Sequence, residues 1–252
     1  VKVLALNVRA GGTRATRPAL LDRVLGHAPD VVVFSEFRAN ANGAALASAL
    51  AAAGLSHQGR SAGRGNGVLI AAREPFTAVP NPFGLPAEEY PDAIVEAAFA
   101  GWRLFGVYLP GQDRKRVHLR LLTATARSFD EHGRAAMIVG DLNSGRNATD
   151  IEANRGGARA VDVFSTADLY AELETVWTEA WLFCHPNERE YSWYPFRNAP
   201  GPVRRNGWRI DKAFVSRALL PQLVRADYDH GFRTEQLSDH SALVVELRAA
   251  GH

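Results

Sequence analysis

Apolar and polar positions alternate between two periods along this chain. Residues 1–8 form an apolar run broken only by Lys2 and Asn7, which predicts a strand. Residues 17–26 carry Leu20, Leu21, Val24 and Leu25 at helical spacing. Residues 31–34 are a continuous β-branched and aromatic run, the pattern of a strand covered on both faces. The Ala- and Leu-rich stretch 43–53 reads as a helix closed by Gly54. Strands are expected at 67–72, 93–99, 103–109 and 135–139. A long helix is expected at 115–131, with Val117, Leu121, Leu122 and Phe129 as its apolar positions. Residues 143–157 are polar, Gly-rich and too long for a simple turn, so they read as a functional loop. A short helix at 164–174 follows, then strands at 191–194, 209–215, 224–228 and 241–247, with a short helix near 219–223. No repeat or linker interrupts the series. The pattern predicts an α/β protein of two mixed sheets packed face to face with helices outside, as a single domain over residues 1–252.

Composition removes some possibilities. A hydrophobic share of 46% over 252 residues allows a substantial core. No apolar run approaches the ~20 residues of a membrane-spanning helix, so no membrane partner is expected. Residues 1–7 read as a strand and not as a secretion signal. Cys184 is the only cysteine, which excludes an internal disulfide and suits a structural thiol. With no signal in view, a cytoplasmic location is the expectation. A net charge of +2 is no signature of polyanion binding. Lysine occurs only at Lys2, Lys115 and Lys212; every other basic side chain is arginine. Arginine grips phosphate bidentately, but a GC-rich genome raises arginine and alanine alike, and that bias explains most of the excess.

The chemistry sits in short polar islands at the ends of the apolar runs. These are Asn7, Glu36, the stretch Gly140-Asp141-Leu142-Asn143, and Ser238-Asp239-His240. A strand that ends in a carboxylate or amide aims it at the rim of its sheet. Four such rims meeting would supply oxygen ligands for a hard cation, a base and an imidazole, which suits metal-assisted cleavage of a phosphoester. Glu36 is then a Mg²⁺ ligand or a strand-end carboxylate paired with an arginine such as Arg38. Asp141 can orient an attacking water or take its proton, and Asn143 can hold that water or donate to a phosphate oxygen. The same residue types are also turn formers. His240 can donate to phosphate or act as acid or base. Asp211, on the preceding candidate strand, would fix its tautomer and raise its pKa. Tyr108 ends another strand, where its phenol can meet a phosphate oxygen or pack in the core.

In this order, Asn7, Glu36, Tyr108, Asp141-x-Asn143, Asp211 and Asp239-His240 resemble the endonuclease/exonuclease/phosphatase superfamily. The C-terminal stretches Tyr191-Ser192-Trp193-Tyr194, Gly207-Trp208-Arg209-Ile210-Asp211 and Leu237-Ser238-Asp239-His240 look most like the exonuclease III and abasic-site endonuclease branch. The resemblance implies a four-layer, DNase I-like α/β sandwich and a Mg²⁺- or Mn²⁺-dependent phosphodiesterase that cleaves DNA. It implies that Glu36 binds the metal with Asn7 and Asp239 near it. Asn143, Tyr108 and His240 would then hold the phosphate, Asp141 would serve the water, and Asp211 would orient His240. It also implies that Trp193, Trp208 and Ile210 wall a pocket for a sugar without its base.

Two departures stand out. The family often has Asn or Asp two residues after the first Asn, where this chain has Arg9. After Tyr108 the chain reads Leu109-Pro110-Gly111, and the segment 111–118 is short. Substrate grip is expected from arginines near the motifs in sequence: Arg64, Arg114, Arg146, Arg197, Arg204 and Arg205. The leading expectation is a monomeric nuclease acting on duplex DNA, as an abasic-site endonuclease, a 3′-exonuclease or both. A second reading is a non-specific DNase or a phosphatase of lipid or small-molecule phosphoesters. A third, a non-catalytic scaffold, conflicts with the presence of every motif side chain.

Overall fold

The structure is a computed structural model that describes residues 1–153, 163–195 and 206–248. In chain order its elements are β1 (Lys2–Asn7), α1 (Arg17–Gly26), β2 (Val31–Phe37), α2 (Ala41–Ala52), β3 (His57–Arg60) and β4 (Gly67–Ala72). Next come β5 (Thr77–Pro80), β6 (Ile94–Ala98), β7 (Trp102–Tyr108), α3 (Arg116–Glu131) and β8 (Ala135–Asp141). The remainder is α4 (Ala167–Val176), β9 (Thr178–Glu179), α5 (Ala180–Cys184), β10 (Asp211–Val215), β11 (Leu223–Asp229), α6 (Gly231–Thr234) and β12 (Ala242–Leu247). Two six-stranded mixed sheets result, in the orders β11-β12-β1-β2-β4-β3 and β5-β6-β7-β8-β10-β9. Among the described residues, no helix is long and apolar enough to cross a membrane.

The two-residue period sorts each strand into two cores. Val3, Ala5, Val31, Val33, Val68 and Ile70 of the first sheet meet Val95, Leu104, Met137, Val139, Ala213 and Val215 of the second. The alternate residues face outward. Leu4, Leu6, Val32, Phe34 and Leu69 pack with Leu20, Val24, Leu46 and Leu50 of α1 and α2. Phe105, Ile138 and Phe214 pack with Leu119, Leu122, Ala126 and Leu173 of α3 and α4. Helices therefore cover both outer faces, and the whole is the expected four-layer sandwich.

Some element boundaries differ from the sequence pattern. The long helix begins after a tight turn at Gln112–Lys115, and its buried face is His118, Leu119, Leu122, Ala126 and Phe129. Val117 and Leu121 are only half-buried. Residues 191–194 contribute isolated bridges, Trp193 to Trp208 and Trp193 to His240, instead of a strand. The strand expected from 209 begins at Asp211. The edge strands β3 and β5 lack an apolar signature and escape periodicity altogether.

Candidate active site

Both sheets end at one rim, and the motif residues end their strands there. Tyr108 of β7 stands opposite Asp141 of β8, and Asp141 stands opposite Asp211 of β10. Residues opposite one another in a sheet share a face. This face looks toward the other sheet, because Met137, Val139, Ala213 and Val215 alternate with them in the inter-sheet core. From the first sheet Asn7 reaches across, and its Nδ2 donates to Asp141 Oδ2 at 3.0 Å. Ser35 does the same with Val107 O at 2.9 Å. The rim is thus a polar lid that closes the inter-sheet core, built from both halves of the chain.

Glu36 does not simply end its strand. The register between β2 and β4 shifts between Ser35 and Phe37, which makes Glu36 the extra residue of a bulge. Its φ of 52° lies in the left-handed region. Such a bulge re-aims a side chain against the strand's alternation. Glu36 turns toward the second sheet, and its Oε1 accepts from the Tyr108 hydroxyl at 3.2 Å. Arg38, the alternative partner, donates instead to Asn66.

His240 lies at the centre. Its Nδ1 is 2.8 Å from Asp211 Oδ2, and both groups are buried. Ligand-type atoms of Asp141, Asp211 and His240 lie within 4.8 Å of one another. Burial and the facing charge of Asp211 push the Asp141 carboxyl up, against the pull of His240 and the Asn7 amide. Burial alone would lower His240; the charge and hydrogen bond of Asp211 overcome it and hold the imidazole above its ordinary value. Burial, reinforced by Glu36, also raises the Tyr108 phenol.

Asn143 sits just past β8 with φ of 48°, its Nδ2 donating to Leu109 O at 2.9 Å and lying 3.4 Å from Asp141 Oδ2. Asp239 turns away from His240, as adjacent residues do. Its Oδ2 accepts from Trp193 Nε1 at 3.1 Å, and its Oδ1 faces Arg9 Nε at 3.3 Å. Trp193 and Trp208 pack with ring centroids 4.8 Å apart and planes tilted by 43°, and Trp193 lies 6.4 Å from the His240 ring. Ile210 packs in the small cluster beneath them with Ile151 and Phe164. An apolar wall therefore stands beside the imidazole.

A hard cation needs oxygen donors that the protein has not already saturated. Asp211 is committed to His240, and Asp141 accepts from Asn7 Nδ2 and from the backbone N–H and side-chain amide of Asn143. Asp239 Oδ1 is buried and makes no hydrogen bond, and Glu36 is only half-buried. Glu36 therefore keeps the oxygens that fit such an ion best, whereas Asn7 Oδ1 and Asp239 Oδ1 beside it in the expected set already face Arg9.

The expected arginines are scattered. Arg114 donates to the Tyr90 hydroxyl at 2.9 Å and lies over its ring. Arg146 is paired with Glu174 at 2.8 Å. Arg64 is exposed on the β3–β4 connection. Arg197, Arg204 and Arg205 lie outside the described residues, as does the end of the 143–157 loop.

Sequence reasoning missed the supports. Lys115 is buried, and its Nζ donates to Asn143 O at 2.5 Å. Burial lowers its pKa to about 8, opposed by Asp141. Ser192 Oγ accepts from the backbone of both Ile210 and Asp211 at 3.1 Å, and Ser238 Oγ accepts from His240 N at 3.1 Å while donating to Asn7 O. The available signal was a serine directly beside some of the motif residues, as in Ser35-Glu36, Ser192-Trp193 and Ser238-Asp239. Also missed was a buried ion network behind β10. Arg209 donates to Asp150 and Glu179, and Lys212 Nζ donates to Asp150 Oδ2 at 2.9 Å. It ties the loop after Asn143 to the start of β10.

Known proteins share this fold. The sequence model of the Endonuclease/Exonuclease/phosphatase family matches residues 4–240. Recombination repair protein 1 of Drosophila melanogaster is 25% identical over 176 residues, 65% of this chain and 25% of that protein. The chain thus spans about a quarter of that relative's length. The structure of an AP endonuclease from Archaeoglobus fulgidus superposes with a TM-score of 0.77 at 23% identity, covering 98% of this chain and 99% of that one. A 3′ phosphatase, NExo, from Neisseria bound to a product DNA hairpin gives 0.76 at 22%, with 98% of each chain covered. A 3′-5′ exonuclease, NExo, from Neisseria meningitidis gives 0.75 at 24%, covering 98% and 100%. With the matched family spanning both halves of the rim, this chain belongs to the endonuclease/exonuclease/phosphatase family.

Proposed function

We propose that this chain is a divalent-metal-dependent phosphodiesterase acting on duplex DNA, as an abasic-site endonuclease, a 3′-exonuclease or both. The observation that carries the reading is the 2.8 Å His240–Asp211 pair beside Asp141 at the shared rim. It gathers a proton-carrying imidazole, its fixed carboxylate partner and a second carboxyl of raised pKa. In this reading Asp141 orients the attacking water and takes its proton. Tyr108, Asn143 and His240 hold the scissile phosphate, and Asp211 keeps His240 in one orientation. The water oxygen bonds to phosphorus as the bond to the leaving oxygen breaks, with His240 placed to neutralise developing charge. Mg²⁺ or Mn²⁺ held by Glu36, with Asn7 and Asp239 alongside, would add Lewis-acid stabilisation of the phosphate and leaving oxygen.

The apolar wall of Trp193, Trp208 and Ile210 beside His240 suits an extruded sugar that lacks its base. Similarity to an AP endonuclease and to a phosphatase bound to a DNA hairpin supports DNA as substrate, and the repair protein among the relatives supports a role in DNA repair. We read the chain as a monomer with one catalytic domain. A second reading, a non-specific DNase or a phosphatase of lipid or small phosphoesters, is favoured by one observation. Arg114 and Arg146 are committed to Tyr90 and Glu174, which leaves them poorly placed to grip a long polyanion.

The deciding experiment is cleavage of an end-labelled duplex with one abasic site, beside its intact twin, with Mg²⁺, Mn²⁺ or EDTA. Metal-dependent incision confined to the abasic duplex supports the repair reading. Equal degradation of both marks a general nuclease. No cleavage with any metal removes DNA as substrate and points to a smaller phosphoester.

A further inference from the structure

At the rim, the chain carries its own cation against Asp239. After β1 the backbone turns through Arg9–Gly11 with Arg9 at φ 47° and Ala10 at φ 62°. Two consecutive non-glycine residues in the left-handed region are strained, so the packing around them must over-determine this turn. The turn brings two groups of Arg9 onto the oxygens of the proposed metal site. Its backbone N–H donates to Asn7 Oδ1 at 3.0 Å. Its guanidinium Nε lies 3.3 Å from Asp239 Oδ1. That oxygen is buried and makes no hydrogen bond, so the guanidinium charge is what faces it. The other oxygen of Asp239 is taken by Trp193 Nε1. Of the three residues with suitable oxygens, two have an acceptor already facing Arg9. Glu36 meets only the Tyr108 hydroxyl among the contacts described, and it remains partly open to solvent.

We propose that Arg9 is a resident cation that stands in for a metal ion on the Asp239 side of the rim, so that the chain binds one divalent ion, on the Glu36 side. This deepens the metal-dependent reading above and rests on it. A positive charge at contact distance from a carboxylate repels a divalent ion from the same oxygens, the more so where one partner is largely withdrawn from water. Arg9 is about half exposed, with a side-chain accessibility of 49% against 16% for Asp239. Its removal therefore opens the Asp239 side without emptying a core.

The test is Mn²⁺ binding to the substrate-free protein, by calorimetry and by electron paramagnetic resonance of the free ion. Wild type, R9K, R9A and R9N are compared after thermal melts confirm that each is folded. Wild type and R9K should bind one equivalent. R9N, which puts an oxygen donor where the cation was, should bind a second equivalent or bind the first about ten-fold more tightly or better. R9A should fall between. Trp193 gives a local signal, since it donates to Asp239. Quenching of tryptophan emission by Mn²⁺ should be stronger in R9N than in wild type, and that excess should fall in an R9N/W193F double variant. Identical titrations for wild type, R9A and R9N would overturn the role of Arg9 and leave the metal-dependent reading standing, as would two equivalents bound by wild type. Failure of every protein to bind Mn²⁺ would overturn both.

Discussion

Two clusters of buried charge lie on either side of β10, and they are built to opposite rules. Behind the strand, Asp150 and Glu179 face Arg209 and Lys212, all buried, two carboxylates against two cations. Asp150 also accepts from the backbone of Arg146, so its oxygens are saturated by several donors. The attraction of Lys212 and Arg209 outweighs burial and holds the Asp150 carboxyl below its ordinary value. At the rim, Asp141 and Asp211 stand directly opposite one another with His240 between them. Burial pushes the Asp141 carboxyl up, and the like charge of Asp211 opposite it in the sheet adds to the rise. The first cluster is balanced, closed and suited to holding a loop on a strand. The second is short of positive charge and suited to holding a proton. It is at the frustrated cluster, not the satisfied one, that we propose the chemistry takes place.

Substitutions can break this contrast. His240→Ala should lower kcat/KM by roughly 10²–10⁴-fold in protein that still folds, because it removes the proton-carrying imidazole from the rim. Activity near wild type would sink the assignment. Asp150→Ala should act on stability instead. It strands Arg209 and Lys212 in the core and should cost about 3–5 kcal/mol in urea unfolding. If its stability were unchanged, the network would not be a structural clamp. Ser192→Ala leaves the N–H groups of Ile210 and Asp211 without their shared acceptor, at about 1–3 kcal/mol per buried group. It should also lower kcat more than it raises KM, since Asp211 loses its backbone anchor.

The smallest effect belongs to a surface pair that sharpens the scale. Asp229 is held down to about 2; burial would raise it, but hydrogen bonds from Arg23 and His27 prevail. A carboxylate whose folded pKa lies below its unfolded value stabilises above the unfolded value, and that stability is lost as pH falls toward the folded one. Wild type should therefore lose stability between about pH 4 and pH 2 in a way that Asp229→Asn does not, by on the order of 1 kcal/mol after solvent screening. Parallel pH profiles for the two proteins would show that the pair contributes nothing.

Much of the fold was readable from the chain alone because its strands alternate cleanly. Residues 31–34, 67–72 and 135–139 are runs without a polar side chain, as strands covered on both faces require, and the three strands that contain them lie mid-sheet. β3 and β5 were not readable, because edge strands take their pairing from a neighbour and carry little apolar pattern of their own. The site divides the same way. Asn7, Tyr108, Asp141, Asp211 and His240 each sit at or next to a strand end, and ends are visible in sequence. Lys115 was invisible as a buried group, since a lone lysine among arginines reads as surface charge until helix α3 and the Asn143 turn close over it.

What the sequence determined by itself is therefore local: which residues share a face, where strands stop, and which side chains stand at those stops. Only the tertiary structure decided which stops meet. The Asn7–Asp141 bond joins residues 134 positions apart, and Ser238 holds Asn7 across 231. The two-residue period is silent on such pairs, because it records the environment of a strand and not the identity of its neighbour. The turn of Glu36 toward Tyr108 is of the same kind. It comes from one extra residue in one strand of a pair, and a single strand read alone has no register to break.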